Sequence, residues 1–203
     1  ARSEAGGQAQ VALDIGPLGE LMEPMGSLSF DEAYGCFAQM IAAGAKAGAD
    51  LVVFETFSDL AEARAGLLAA RENSSLPVCI TMTFDETGRT LSGCTPGAAA
   101  MALTTLGANI LGVNCSQGPR ELVGILREMA RYTALPLAAK PNAGLPDPQT
   151  GAYSLGPEDF ALQMVDFIEA GASYLGGCCG TTPEHIRALA AAAGQLTPPP
   201  RPA

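Results

Sequence analysis

The chain has no tryptophan, a single histidine, His185, and only 11 basic residues against 21 acidic ones in a length of 203. Each shortage removes a class of function. One histidine leaves no histidine-rich metal site and no choice of base for a Ser-His-Asp triad. A net charge of −10 argues against nucleic acid or an anionic membrane as the main partner and favours a small-molecule ligand. No apolar run is long enough to span a bilayer, and no basic segment followed by an apolar one opens the chain as a signal peptide would. Six cysteines are too few to scaffold a chain of this length with disulfides. With no export signal, a reducing cytoplasm is the expected setting, and the thiols are expected to be free, metal-bound or catalytic. Hydrophobic residues make up 48%, enough for one substantial core, so one large domain is expected. Residue 1 is Ala rather than Met, which fits processing or a piece of something longer.

What is present is a regular alternation. Short, almost continuously apolar runs at Val11–Asp14, Leu51–Phe54, Val78–Thr83, Asn109–Val113, Pro136–Ala139 and Ser173–Leu175 read as strands buried on both faces. Between and after them lie helix-length segments at 29–47, 59–73, 96–106, 119–132, 157–170 and 183–193. Thr95-Pro96, Gly118-Pro119, Gly156-Pro157 and Thr182-Pro183 each place a cap candidate before a proline at the first helical position. Ser29-Phe-Asp-Glu32 reads as a capping box. Gly48, Gly107 and Gly171 each stop a helix and lead into a strand.

The alternation predicts an α/β fold with a parallel sheet. A closed (β/α)8 barrel has eight units of about 31 residues each, and six are visible here. An open doubly wound sheet and a barrel lacking about two units are therefore both compatible with the spacing. The barrel domain is expected over residues 1–196. The Pro-rich stretch 197–203 is expected to be a linker or tail.

Reactive groups of parallel α/β folds gather at the carboxyl ends of the strands. Those ends carry Asp14, Glu55, Asn114-Cys115-Ser116, Lys140-Pro-Asn142 and Gly176-Gly-Cys-Cys-Gly180. The other cysteines fall within a helix (Cys36), a strand (Cys79) and a loop (Cys94). Adjacent residues of a regular strand face opposite ways, but glycines at 176, 177 and 180 relax the backbone around Cys178 and Cys179. Both can then turn inward and meet Cys115. Three thiolates suit zinc and leave one position open, as in catalytic zinc sites. Burial as ordinary small residues, or a disulfide between the adjacent pair, are the competing readings. Glu55 follows an apolar run where an unpaired carboxylate is unfavourable, so a cationic partner is expected, either a ligand's ammonium or a lysine. Asn142 can be a turn residue or a group facing the metal. Asn114 and Ser116 flank Cys115 and can donate to sulfur or to a substrate carboxylate. Asp14 reaches the mouth or simply forms a turn. Asp85 is assigned to its own turn, and His185 to capping rather than ligation.

Gly112-Val-Asn-Cys115 together with Gly176-Gly-Cys-Cys-Gly-Thr-Thr-Pro-Glu-His185 resembles the zinc motifs of the homocysteine S-methyltransferase family. Phe54-Glu-Thr-Phe-Ser-Asp59, Met82-Thr-Phe-Asp-Glu86, Lys140-Pro-Asn-Ala-Gly144 and Asp14-Ile-Gly-Pro-Leu-Gly19 resemble the homocysteine-binding domain of the cobalamin-dependent branch. The resemblance implies a (β/α)8 barrel with Cys115, Cys178 and Cys179 as zinc ligands and the sulfur of homocysteine in the open position. It implies Glu55 at the substrate ammonium and Asn142 close to the metal. It implies methyl transfer to give methionine. Methylcobalamin and folate would then belong to other domains of the same or a partner polypeptide, since nothing here resembles a corrinoid motif. Relatives use S-methylmethionine or betaine as donor instead.

The family pattern opens with an Asp-Gly strand and a second βα unit that have no counterpart here. A fragment, an exchanged oligomer or completion by a complementing segment is therefore expected, because open sheet edges invite pairing. A non-catalytic zinc-binding or assembly module is the alternative from another class, and a phosphate-binding barrel lyase is a third.

Overall fold

A computed structural model describes residues 1–194 and 196, so the stretch 197–203 lies outside the described residues. Strands β1 (Ala12–Ile15), β2 (Leu51–Phe57), β3 (Val78–Met82), β4 (Ile110–Asn114), β5 (Leu137–Lys140) and β6 (Ala172–Leu175) form one sheet. Every neighbouring pair is parallel, and the spatial order is the chain order, β1 to β6. A doubly wound sheet must reverse its strand order at a switch point. The uninterrupted order excludes that alternative and matches six units of a (β/α)8-type barrel. Among the described residues, β1 and β6 each pair on one side only.

Right-handed crossovers that always step in the same direction put all the helices on one face. These are α2 (Phe30–Lys46), α3 (Leu60–Asn73), α4 (Pro96–Thr105), α5 (Pro119–Ala130), α6 (Pro157–Glu169) and α7 (Pro183–Ala193). Each packs on its sequence neighbour around the outside. On α5, Leu122, Val123, Ile125, Leu126 and Met129 are buried, the spacing of a single apolar stripe. Leu126 is wholly inaccessible, and truncating such a side chain to Ala costs about 2–5 kcal/mol. Between the sheet and α2 the rings of Phe37, Phe54 and Phe57 meet at centroid distances of 5.6–5.9 Å. Helix α3 approaches β2 through Gly66, where a Cβ would stand 2.9 Å from the Phe54 ring.

The caps are those the sequence predicts. Ser29 and Glu32 form a reciprocal box, and the Thr95 hydroxyl accepts from the Ala98 N–H. Gly48, Gly107 and Gly171 adopt the left-handed conformation after their helices. Strand ends shift by about a residue, α5 stops two residues early, and two further features were not expected. A four-residue helix α1 (Arg2–Ala5) precedes β1, too short to show any periodicity. Strand β2 continues three residues past Phe54, because the ladder resumes at Phe57 after an irregularity between Phe54 and Phe57. That irregularity contains Thr56, a β-branched residue at φ 68°.

The opposite face of the sheet is the barrel interior. Leu51, Val53, Cys79, Ile110, Ala138 and Tyr174 point there and border a cavity of about 140 Å³. Burial pushes the Cys79 thiol up to about 11, so it is a neutral apolar filler. Close approach of β4 and β5 depends on Gly112, where a Cβ would stand 2.0 Å from the Ala138 carbonyl oxygen. Two residues beyond Gly112 the strand delivers Asn114 to the mouth.

Candidate metal centre

Cys115 follows the last residue of β4, and Cys178 and Cys179 lie in the loop after β6. Their sulfurs all fall within 4.8 Å of one another, the one group of three or more potential metal ligands among the described residues. Cys179 Sγ is 3.8 Å from Cys115 Sγ and 4.0 Å from Cys178 Sγ. All three cysteines are free, and each retains some exposure at the mouth.

Backbone strain aims the first sulfur. Cys115 and Ser116 are both left-handed, at φ 60° and 56°, and only Thr56 joins them among the described non-glycine residues. Such conformations are unfavourable by about 1–3 kcal/mol each and persist where surrounding contacts over-determine them. The contacts here are explicit. The Cys115 N–H donates to the Lys140 carbonyl at 3.1 Å. The Ser116 hydroxyl lies 2.8 Å from the carbonyl oxygens of both Phe84 and Cys115 and shares its one proton between them. Ser116 thus secures the turn.

The segment after β5 works as a splint between the two cysteine loops. Besides the Lys140 carbonyl on Cys115, the Pro141 carbonyl accepts from the Cys178 N–H at 2.9 Å. The Asn142 amide oxygen accepts from the Cys179 N–H at 3.1 Å. The Ala143 N–H returns a bond to the Cys179 carbonyl at 2.9 Å. Asn142 is 4% exposed and also hydrogen-bonds the Cys115 sulfur, so its amide touches both loops.

Asn114 is wholly buried and does the same for the strand ends. Its amide oxygen accepts from the Thr56 N–H at 2.8 Å and from the Thr81 hydroxyl at 2.7 Å. Its amide nitrogen donates to the Thr56 hydroxyl at 2.7 Å and lies 3.8 Å from Cys178 Sγ. One side chain therefore joins β2, β3, β4 and a sulfur. Gly180, at φ 79°, closes the second cysteine loop, and its missing Cβ makes room for the Tyr153 ring, which would stand 2.2 Å away.

The thiols do not ionise alike. A hydrogen bond from the Cys178 thiol, aided by the Ser116 N–H, Cys179 and Asn142, holds the Cys115 thiol down to about 5 despite burial. The same bond, then burial and the neighbouring charges, pushes the Cys178 thiol up. Cys115 is thus ionised at neutral pH, while burial and the neighbouring charge hold the proton on Cys178.

Glu55 and Asp14 sit apart from the sulfurs, on the interior wall. The Glu55 carboxylate pairs with the Lys140 ammonium, the lysine alternative that the sequence left open. Asp14, on the edge strand β1, is raised by burial first and then by the Glu55 charge, with Lys140 opposing. His185 is a cap: Nδ1 accepts from the Thr182 N–H at 3.1 Å, and Nε2 lies 2.9 Å from the Leu155 carbonyl. Asp85 accepts three bonds within its own turn. Sequence reasoning missed Thr56, Thr81, Tyr153 and the partner role of Lys140. Thr56 and Thr81 look like ordinary strand residues, and Tyr153 lies in a loop without a pattern. Lys140 stood inside a quoted motif beside Asn142, which was its only signal.

The homocysteine S-methyltransferase family model matches residues 1–193. Methionine synthase of Mycobacterium leprae is 40% identical over 153 residues, 71% of this chain and 13% of that protein. Methionine synthase of Mycobacterium tuberculosis is 40% identical over 162 residues, 76% of this chain and 14% of that protein. The chain therefore spans about one seventh of the curated relatives it matches. The apo form of the homocysteine methyltransferase MmuM from Escherichia coli superposes with a TM-score of 0.75 over 94% of this chain and 67% of its own, at 24% identity. Its metallated form superposes at 0.69 with 25% identity, over 81% of this chain and 52% of its own. A match to the family model along nearly its whole length, over a barrel that gathers three thiols at its mouth, establishes that this chain belongs to the homocysteine S-methyltransferase family.

Proposed function

We propose that this chain binds zinc through Cys115, Cys178 and Cys179 and presents the thiol of homocysteine for methylation to methionine, as the homocysteine-binding part of a methionine synthase. The observation that carries the reading is the convergence of three sulfurs within 4.8 Å from two strand ends 64 residues apart. The donor set fits the ion: soft thiolates are preferred by zinc, and three protein ligands leave a fourth position for substrate. When bound, zinc would lower the pKa of a coordinated thiol, keeping it ionised and nucleophilic at neutral pH.

The protein residues supply order and charge. Asn142 and the carbonyls of Lys140 and Pro141 fix the two cysteine loops relative to each other before any ligand arrives. Asn114 sets the height of Cys178 against β4. Glu55, with Asp14 nearby, offers negative charge for the substrate ammonium, and Ser116 holds the turn that carries Cys115. Nothing in these elements carries the methyl group. In a methionine synthase a methylcobalamin module would bring it, recharged by a folate domain; S-methylmethionine or betaine would serve in the other branches.

Zinc titration followed by calorimetry and X-ray absorption, with and without homocysteine, tests the reading. One zinc per chain, proton release on adding homocysteine, and a fourth sulfur at the metal are the expected results. Zinc binding that ignores homocysteine would instead support the non-catalytic module. Activity on a phosphorylated substrate that survives chelation would support the lyase.

A further inference from the structure

We propose that Tyr153 is a positioning residue of the three-cysteine centre, its phenol hydroxyl donating to the Cys179 sulfur and so moderating the charge that this ligand places on a metal. The inference rests on the reading of the cysteines as a zinc site, and it gives a role to a side chain outside every motif of the sequence.

The connection from β5 to α6 is built to deliver this ring. It folds back on itself as a hairpin: the Leu155 N–H donates to the Ala143 carbonyl at 3.1 Å, and an antiparallel bridge pairs Pro146 with Tyr153. Asp147 closes the tip. Its N–H donates to the Ala152 carbonyl at 2.8 Å, and its carboxylate accepts from the Gln149 and Thr150 N–H groups at 2.9 and 2.8 Å. Both limbs are tied to the chain around the adjacent cysteines. The outgoing limb holds the Cys179 carbonyl through the Ala143 N–H, and the returning limb offers the Leu155 carbonyl to His185 at the start of α7.

Tyr153 is half-buried between these ties. A Cβ on Gly180 would stand 2.2 Å from its Cγ, 2.5 Å from its Cδ2 and 2.6 Å from its Cβ, so the root of the side chain lies against the Gly180 backbone. From that seat the hydroxyl hydrogen-bonds the Cys179 sulfur. A phenylalanine would cover the glycine equally well, so what the hydroxyl adds is the bond to sulfur.

The other two sulfurs are served by the segments that follow β4 and β5 and by the end of β4. The Ser116 N–H and Asn142 reach Cys115, and the Asn114 amide lies 3.8 Å from Cys178. Cys179 is the exposed member of the trio, and Tyr153 serves it from the hairpin. Three thiolates outnumber the charges of a divalent ion, and a substrate sulfur adds another. A hydrogen bond to a thiolate is charge-assisted and holds its lone pair closer, so the sulfur gives less electron density to a metal. More of the ion's acidity is then left for an incoming thiol.

The test compares zinc affinity, read with a chelating dye, and the thiolate-to-metal charge-transfer band of the cobalt(II)-loaded chain. Tyr153→Phe keeps the ring on Gly180 and removes only the hydroxyl. Its zinc affinity is expected to fall about tenfold, and its charge-transfer band to move to lower energy, because the freed lone pair is held less tightly. Tyr153→Leu, which removes the ring as well, is expected to move the band no further. A tyrosine that only fills space leaves the Tyr153→Phe band at the parent position. That result, or a shift seen only in Tyr153→Leu, would overturn the assignment while leaving the metal reading intact. No charge-transfer band in the parent chain would overturn both.

Discussion

Replacing Asn114 with Ala removes the one side chain that joins three strand ends to a sulfur, and its cost can be worked from the contacts. The substitution deletes bonds to the Thr56 N–H, the Thr56 hydroxyl and the Thr81 hydroxyl, and the approach to Cys178. The hydroxyls can rotate, and that of Thr81 already has the Phe54 carbonyl 3.5 Å away. The Thr56 N–H cannot rotate, and a buried donor left unpaired costs about 1–3 kcal/mol. Thr56 at φ 68° also loses the contact that holds it in a conformation unfavourable by about 1–3 kcal/mol. Because that strain is relieved if the segment relaxes, the two contributions do not add fully. A net loss of about 3 kcal/mol is expected, at the upper end of ordinary point mutations. With a urea slope of about 2 kcal/mol/M, the metal-free unfolding midpoint falls by about 1.5 M. Thr81→Val removes a single hydroxyl and should cost about 1 kcal/mol. Zinc affinity, measured against a chelating dye, should fall in Asn114→Ala and hold in Thr81→Val. Equal midpoints for the two variants, with unchanged zinc affinity in both, would refute the claim that Asn114 sets the mouth.

Four further outcomes are expected. Zinc uptake at pH 7 should release fewer than three protons, because Cys115, held down to about 5, starts ionised; calorimetry in buffers of different ionisation enthalpy gives the count. Its depressed pKa also means that the metal-free fold gains stability from this group above the unfolded thiol's range and loses it as pH falls through about 5; denaturant midpoints at pH 8 and pH 5 check the direction. Gly180→Ala forces a side chain into a left-handed residue and against the Tyr153 ring, so zinc affinity should drop with little change in far-ultraviolet circular dichroism. Gly112→Ala places a methyl 2.0 Å from the Ala138 carbonyl, and the loss should be at least 1–3 kcal/mol, seen as a lowered melting temperature.

Much of the fold was legible because its signals are local. Proline at the first helical turn, a threonine or glycine cap before it and glycine after the last turn act within a few residues, and the helices Pro96–Thr105, Pro119–Ala130 and Pro183–Ala193 begin where those signals stand. The choice between a barrel and a doubly wound sheet was not local. It depends on which strand lies beside which, and six apolar runs look the same in either order. The cysteines were legible as a cluster because glycines at 176, 177 and 180 flank an adjacent pair at a strand end, where a relaxed backbone lets both turn inward. The Lys140–Glu55 pair was legible only as an expectation that Glu55 needs a cation, since the partners are 85 residues apart. Thr56 was invisible: nothing in a β-branched residue announces a positive φ, and only the Asn114 amide across the sheet explains it.

The splint after β5 has a consequence for how such a barrel can diversify. The sulfurs hang from the strands on either side of β5 and are tied to the segment after it by main-chain carbonyls, so their mutual placement does not depend on the outer helices' length or lettering. The helical exterior can be rewritten wholesale while the trio stays in tune.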